Sequence, residues 1–260
     1  STTGFQTYTA SGAITTNSDY TTQGGTILFD GDLVTNSAMV VDTTGGGAAG
    51  ADVTFSGQID SKAGTSHSLA IMTGVGDIVF GAAVGSVTPL GAVTINAAND
   101  VTVLSSLAAQ GFSQTTAGTG TLRMDGAVTA FTDAMTLAAH TIDLNGSLRT
   151  FGQDITLTAG VGGADLATSQ SITTTPASGQ IDVAGAISIA SAGAVNLSGE
   201  LVTTAATTSG AVTITTTGAG SMGNVTTGNI NTFEASSVTS GGDAGDVSIT
   251  AGGDLLTVGG

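Results

Sequence analysis

The stretch Ile27–Leu33, ILFDGDL, decides the fold, because the chain keeps returning to its pattern. VTFSGQI follows at Val53–Ile59, LRMDGAV at Leu122–Val128 and IDLNGSL at Ile142–Leu148. IDVAGAI comes at Ile181–Ile187 and VNLSGEL at Val195–Leu201. All fit one template, apolar-x-apolar-x-Gly-x-apolar. A catalytic loop has no reason to be copied so often, whereas the rung of a ladder does.

Aligned on the template, the first apolar positions are Ile27, Val53, Ile78, Val101, Leu122, Ile142, Ile181 and Val195. Two residues on stand Phe29, Phe55, Phe80, Val103, Met124, Leu144, Val183 and Leu197. Six on stand Leu33, Ile59, Val84, Leu107, Val128, Leu148, Ile187 and Leu201. The glycine slot holds Gly31, Gly57, Gly126, Gly146, Gly185 and Gly199, and fails at Ala82 and Ser105. From Ile27 to Ile142 the copies are 26, 25, 23, 21 and 20 residues apart, which is the period of a solenoid. Apolar residues at i and i+2 make a strand with one inward face. A glycine two residues later suits a corner, since it takes backbone angles that a Cβ forbids. The last apolar residue then starts a new direction.

A second strand phrase recurs between copies, in AMVVD around Met39, LAIMT from Leu69 and AVTIN from Ala92. It returns in AMTLA from Ala134, DITLT from Asp154 and AVTIT from Ala211. No single copy can bury its inner face. Stacked copies can, with each strand pairing to its equivalent ~4.8 Å away in the next turn. Parallel strands joined by crossover helices would need amphipathic helices, and none of ten residues is visible. The expectation is an all-β chain, a parallel β-helix of roughly ten rungs of about 20–26 residues and ~50 Å long. It spans residues 1–260 as one β-solenoid domain. Weaker rungs lie at Tyr8, Ala10, Gly12 and Ile14, and at Ile249, Ala251, Gly253 and Leu255. From about Gly160 the register becomes irregular. Between Ile142 and Ile181 either a rung is disguised or a loop protrudes near VGGADLATSQS, and Ile181 and Val195 read as two strands of one turn.

Composition supports this reading. The 260 residues include 41 Gly, 2 Pro and no Cys or Trp, with 40% apolar residues. Only 8% are charged, against about 25% in ordinary domains. Disordered chains are poor in patterned aliphatics, and collagen needs strict Gly-X-Y with abundant Pro. Thr and Val favour strands, while helix formers are scarce. The net charge of −16 comes from 19 acidic and 3 basic residues, Lys62, Arg123 and Arg149. That balance argues against nucleic-acid partners, which need cations on phosphates, and against anionic membrane surfaces. No run of eighteen apolar residues predicts a membrane helix, so membrane insertion is not expected. Without cysteine there is neither a disulfide framework nor thiolate chemistry. Ser1 is not Met and the chain stops in mid-phrase at GGDLLTVGG, so a segment of a longer repetitive protein, or a processed product, is expected.

Candidate sites compete with structural explanations. His67 and His140 are far apart and read as turn residues. No G-x-S-x-G elbow supports a serine nucleophile. Polysaccharide-active β-helices need converging carboxylates. Here Asp30, Asp125 and Asn145 share the slot before the corner glycine with Ser56 and Ala184, which reads as turn chemistry. A calcium β-roll needs G-G-x-G-x-D-x-apolar-x in tandem. Only GGDAGDVSI from Gly241 approaches it, so weak calcium binding is the most that is expected and no cofactor or metal ligand is assigned. Ice binding would use paired outward threonines. Thr156/Thr158 and Thr213/Thr215 qualify, but Thr94 pairs with Asn96 and Thr136 with Ala138, which fits strand propensity better. Arg123 and Asp143 share one outward position in consecutive rungs and should face each other as an exposed pair of little energetic weight. Phe29, Phe55 and Phe80 should stack inside as an aromatic ladder.

The phrases AVGSVTPLGAVTINAANDVTV (Ala83–Val103), TTAGTGTLRMDGAV (Thr115–Val128) and GGDAGDVSITAGGDL (Gly241–Leu255) resemble repeats of large bacterial exoproteins of the filamentous-haemagglutinin-like type. The resemblance covers most of the chain and is compositional and repetitive. It implies a right-handed β-helical shaft, secretion across an outer membrane, and a role in adhesion or surface structure. The N-terminal secretion-recognition segment of that family has no match here. The expected protein is therefore a structural or adhesive module, extracellular or on a bacterial cell surface, without catalysis. Its expected partners are neighbouring repeats of the same chain, a second copy joined end to end, and host or surface glycans. A calcium-dependent binding module and a polysaccharide-active enzyme are the alternatives.

Overall fold

The computed structural model describes residues 3–45, 47, 49–115, 119–167, 170–177, 183–205, 207–232 and 244–257. Among them every pairing between strands is parallel, and each strand pairs with its equivalent one turn earlier and one turn later. The architecture is a parallel β-helix. The only helical turn among the described residues is the 3-10 segment Gly220–Gly223. No helix among them is long and apolar enough to cross a membrane.

Each turn has three faces, here called A, B and C in chain order. Face A carries the template strand. Its first inner column runs Gln6, Ile27, Val53, Ile78, Val101, Leu122, Ile142, Ala164, Val195, Val225 and Leu255, so the described residues supply eleven rungs. Face B opens through Ile14, Leu33, Ile59, Val84, Leu107, Val128, Leu148, Ile172, Leu201 and Ile230, six residues on from the start in the rungs from Ile27 to Ile142 and in that of Val195. The second strand phrase forms face C, through Met39, Leu69, Val93, Phe112, Met135, Ile155, Ile187, Val212 and Val247. The eighteen ladder positions from Ile27 to Leu148 are all buried. Period-2 alternation points one side of each strand into this lumen and the other to solvent.

The register departs from expectation after Leu144, for a local reason. The strand Ile155–Leu166 runs from face C into face A through a corner that holds Gly160, Gly162 and Gly163, ahead of the template position. Its Ala164 takes the column position that larger aliphatics hold elsewhere. That is the disguised rung. Ile181 lies outside the described residues. Ile187 continues face C beside Ile155, not face B beside Leu148. Val183 is no face A core residue; it bridges to Thr208 and is half-exposed. Ile187 closes the turn that begins at Ala164, and Val195 begins the next, so the two are successive strands on either side of one corner. The spacings Ala164–Val195, Val195–Val225 and Val225–Leu255 are 31, 30 and 30 residues, longer than the expected range. The extra residues enter at corners and leave the strands in register.

The corner glycines need a second correction. Of the six template glycines only Gly31 has a positive φ, at 139°. Close approach is the commoner cause: a Cβ on Gly126 would overlap the Ser105 carbonyl, and one on Gly146 the Gly126 carbonyl. Gly57 stands over Gly31 in the same way, and Gly199 lies under Gly228. Gly185 belongs to another column, at the corner between faces B and C, where it stands over Gln153. Its neighbour Ala184 sits there too, so neither shares the slot of Asn145 and Gly146.

Inside, Phe29 stacks on Phe55 at 5.0 Å and 2°, and Phe55 on Phe80 at 5.4 Å and 4°. Tyr8 and Tyr20 cover the first of these rings. Tyr20 meets Phe29 edge-on at 4.9 Å, and the phenols bond to Gln6 and Thr16. Both tyrosines of the chain therefore sit on the first rung, apolar faces down and hydroxyls at the rim. Burial, and then the neighbouring Tyr20, raises the Tyr8 phenol above its ordinary pKa. Among the described residues one buried side chain leaves its polar atoms unpartnered. Gln114, in the inner column between Ile95 and Leu137, is 1% exposed, and its Oε1 and Nε2 have no hydrogen-bond partner.

Candidate functional site

The surface is built by two polar devices that the sequence reading did not anticipate. The first is a set of buried threonines where strands end, Thr43 and Thr73 after face C and Thr150, Thr174 and Thr203 after face B. Thr73 donates to the Gly76 carbonyl at 2.8 Å and Thr150 to that of Gln153 at 2.5 Å, each across a three-residue corner. Where the corner is enlarged, the same hydroxyl closes its base: Thr43 to Ala51 at 2.7 Å, Thr174 to Gly185 at 2.6 Å, Thr203 to Gly210 at 2.6 Å. A buried carbonyl is expensive to leave unpaired, so this clasp lets loops of different lengths leave the rod without disturbing the rungs. Outward threonine, expected from strand propensity, is only half of the pattern.

The second device uses the acids. Asp52 accepts the backbone N–H of Asp77 at 2.9 Å, Asp77 that of Asp100 at 3.0 Å, and Asp100 that of Thr121 at 2.6 Å. Asp19, Asp32, Asp60 and Asp154 accept N–H groups of the following turn in the same way. In the slot before the corner glycine, Ser56 donates to Asp30 at 3.1 Å and Asn145 to Asp125 at 3.0 Å. Much of the acidity thus ties one rung to the next.

Three surface features remain as candidates. On face A, Arg123, Asp143, Asp165 and Asn196 follow one another in a single outward column. Arg123 does face Asp143 in register, but at 4.0 Å; its short contact is with Asp125 of its own rung, at 2.8 Å. That hydrogen bond holds the Asp125 carboxyl below its ordinary pKa, assisted by Asn145 and opposed by slight burial, and raises the guanidinium in turn. Asn196 donates to Asp165 at 2.9 Å. A groove of about 420 Å³ runs past Thr121, Asp143, Asp165 and Asn196. Among the described residues no three His, Cys, Asp or Glu side chains gather as a metal site would require. The first three residues of GGDAGDVSI lie outside the described residues.

The second feature is the outward column of face C, where Thr94, Ser113, Thr136, Thr156, Ser188, Thr213 and Ser248 follow in register. The column beside it alternates threonine with Ala138 and Ala190, so paired threonines form no lattice. The histidines join neither feature. The backbone N–H of His67 donates to Ser61, and His140 lies within the strand Met135–Leu144, not in a turn.

The third feature is a cavity of about 670 Å³ at the corner between faces B and C, lined by Phe131, Thr132, Phe151, Gln153, Ala177 and Val183, together with Gly152. Phe131 and Phe151 stack at 5.7 Å and 9° just beyond the strand ends Ala130 and Thr150, where the chain leaves the rung. The guanidinium carbon of Arg149 lies 4.5 Å from the Phe151 centroid. Thr132 donates to the Gln110 side chain at 3.0 Å, and the Thr150 clasp fixes Gln153. The template reading missed this site because both phenylalanines fall in the turn after face B. The F-T-D and F-G-Q phrases following two aligned strands were its only signal.

Comparison with protein-family models, with curated proteins and with solved structures finds no match to this chain.

Proposed function

We propose that the chain is a structural or adhesive module, a rigid shaft that presents corner loops and outer faces at the surface of a bacterial cell or outside it. What carries the reading is the rung-to-rung use of polar side chains. Asp52, Asp77 and Asp100 hold the next backbone, and Thr43, Thr174 and Thr203 close loops, so both groups build a rod on which corners vary freely. The resemblance to filamentous-haemagglutinin-like repeats supports the same role and an extracellular location. In this reading the module is not an enzyme, carries no cofactor beyond weakly held calcium, and binds no nucleic acid. Its partners are neighbouring repeats of its own chain or a second copy, because strand edges offer unpaired backbone groups. Surface glycans are the ligands expected of the corners.

A second reading has one observation in its favour. Asp143 and Asp165 stand on successive rungs of face A and line a groove, the arrangement from which a polysaccharide-active β-helix works. Electron microscopy of the purified protein, with and without chelator, tests the first reading. Rods about 50 Å long, unchanged by chelator, are expected; compact round particles would remove it. Release of reducing or unsaturated ends from a panel of acidic and neutral polysaccharides, abolished by Asp143→Asn, would replace it with the second.

A further inference from the structure

We propose that the cavity at the corner between faces B and C binds a small amphipathic carboxylic acid, its apolar body against Phe131 and Phe151 and its carboxylate on Arg149. The volume of about 670 Å³ falls in the range of small-molecule sites. Its lining is mainly carbon: two stacked rings, Ala177 and Val183, with the neutral polar groups of Thr132 and Gln153 on one side. A saccharide, with a hydroxyl on nearly every carbon, would leave most of those hydroxyls without partners here. The ring faces are also taken. Phe131 covers one face of Phe151, and the Arg149 guanidinium lies over the ring as well. What remains open is ring edge and methyl surface, which suits an aryl or alkyl group.

The acid follows from charge. The chain has 19 acidic and 3 basic residues, so an arginine without a carboxylate beside it calls for an explanation. Arg123 is held by Asp125, with Asp143 close by. Arg149 makes no ion pair among the described residues. It is exposed, and its planar fork is held over Phe151. Packing on the ring fixes the guanidinium, and its N–H groups meet no partner among the described residues, which is the form in which arginine grips a carboxylate. This guanidinium thus lies on Phe151, a ring that lines the apolar opening, and charge complementarity selects an anion there.

The test is nuclear magnetic resonance titration of the whole 24.8 kDa chain with 3-phenylpropionate. Uncharged 3-phenylpropanamide and the sugar acid glucuronate serve as comparisons. Saturable shifts at the Phe151, Gly152 and Gln153 amides are expected with phenylpropionate. The amide should bind roughly tenfold more weakly, the order of one charge-assisted hydrogen bond at a partly exposed site. Arg149→Gln, a surface change that leaves the rungs intact, should erase the difference between acid and amide. Equal binding of acid and amide, or discrimination that survives Arg149→Gln, overturns the assignment of the carboxylate to Arg149. Tighter binding of glucuronate shows a saccharide site instead, and no saturable shift with any probe shows that the cavity is no site. None of these outcomes touches the rod reading, which microscopy decides separately.

Discussion

Gln114 places a carboxamide in a column otherwise filled by Val41, Ile71, Ile95, Leu137 and Leu157. Both polar atoms of its amide are buried and unpartnered. Replacing it with leucine, of similar volume, removes both without opening a cavity. Leaving a buried donor or acceptor unsatisfied costs about 1–3 kcal/mol. Gln114→Leu should therefore stabilise the protein by about 2 kcal/mol, taking into account that the amide retains some freedom to turn. For a chain of this size that is roughly 4–8 °C in Tm. Solenoid rungs contact only their neighbours, so the gain should be local. Amide exchange should slow most in the strands Leu90–Ala97, Leu107–Gln114 and Met135–Leu144. Urea unfolding followed by circular dichroism gives the global value, provided the slope against denaturant is unchanged. The reverse change in the next rung, Leu137→Gln, should cost at least as much as Gln114→Leu gains. A neutral or destabilising Gln114→Leu would refute the reasoning, because it would mean that the amide has a partner, such as an ordered water in the lumen.

The remaining predictions concern the other devices. Thr203→Val keeps the shape but deletes the hydroxyl on Gly210; it should cost about 1–2 kcal/mol and speed proteolysis within residues 204–209, read by urea unfolding and limited digestion. Phe55→Ala, at the middle of the aromatic ladder, should cost about 3–5 kcal/mol, and a melting curve unchanged from the parent protein would show that the ring carries no packing load. Gly126→Ala forces a methyl into the Ser105 carbonyl and should lower the melting temperature, whereas Gly47→Ala meets no atom within 4 Å and its cost should come only from its positive φ of 95°. For the exposed pair, Arg123→Gln should return the Asp125 carboxyl towards its ordinary pKa in a carbon-detected titration. Asp125 has a depressed pKa when folded, so its contribution is present above the unfolded-state value and lost as pH falls through the folded one. Arg123→Gln should therefore flatten the acid limb slightly and leave neutral-pH stability nearly unchanged.

Much of the fold was legible from the chain alone because its causes are local and repeat. Alternation at i and i+2 dictates a one-faced strand, and a face that one copy cannot bury dictates stacking. The phenylalanines at Phe29, Phe55 and Phe80 fall in one column once the template is aligned, so their stacking needed no coordinates. Legibility ended where those causes weakened. Ala164 is too small to mark a rung by hydrophobicity, and the strand Ile155–Leu166 carries its glycines before that position, at Gly160, Gly162 and Gly163, where the template does not expect them. Tertiary pairing with Ile142 alone identifies the position. Likewise the pattern shows that Gly126 and Gly146 matter, but only stacking reveals that a carbonyl of the rung below, and not a left-handed φ, excludes a Cβ.

The candidate sites divide in the same way. Sequence by itself determined an acidic, cysteine-free parallel β-helix with its apolar ladder, since strand period and burial need only the order of residues. The tertiary structure alone decided which way the polar groups turn. Thr174 faces inward to close a loop, and Asp77 holds the next backbone. The reason is distance along the chain. These partners are up to about one turn apart, 11 to 25 residues for the closed loop and the carboxylate ladder, and the length of each turn is set by corner insertions that no local preference encodes.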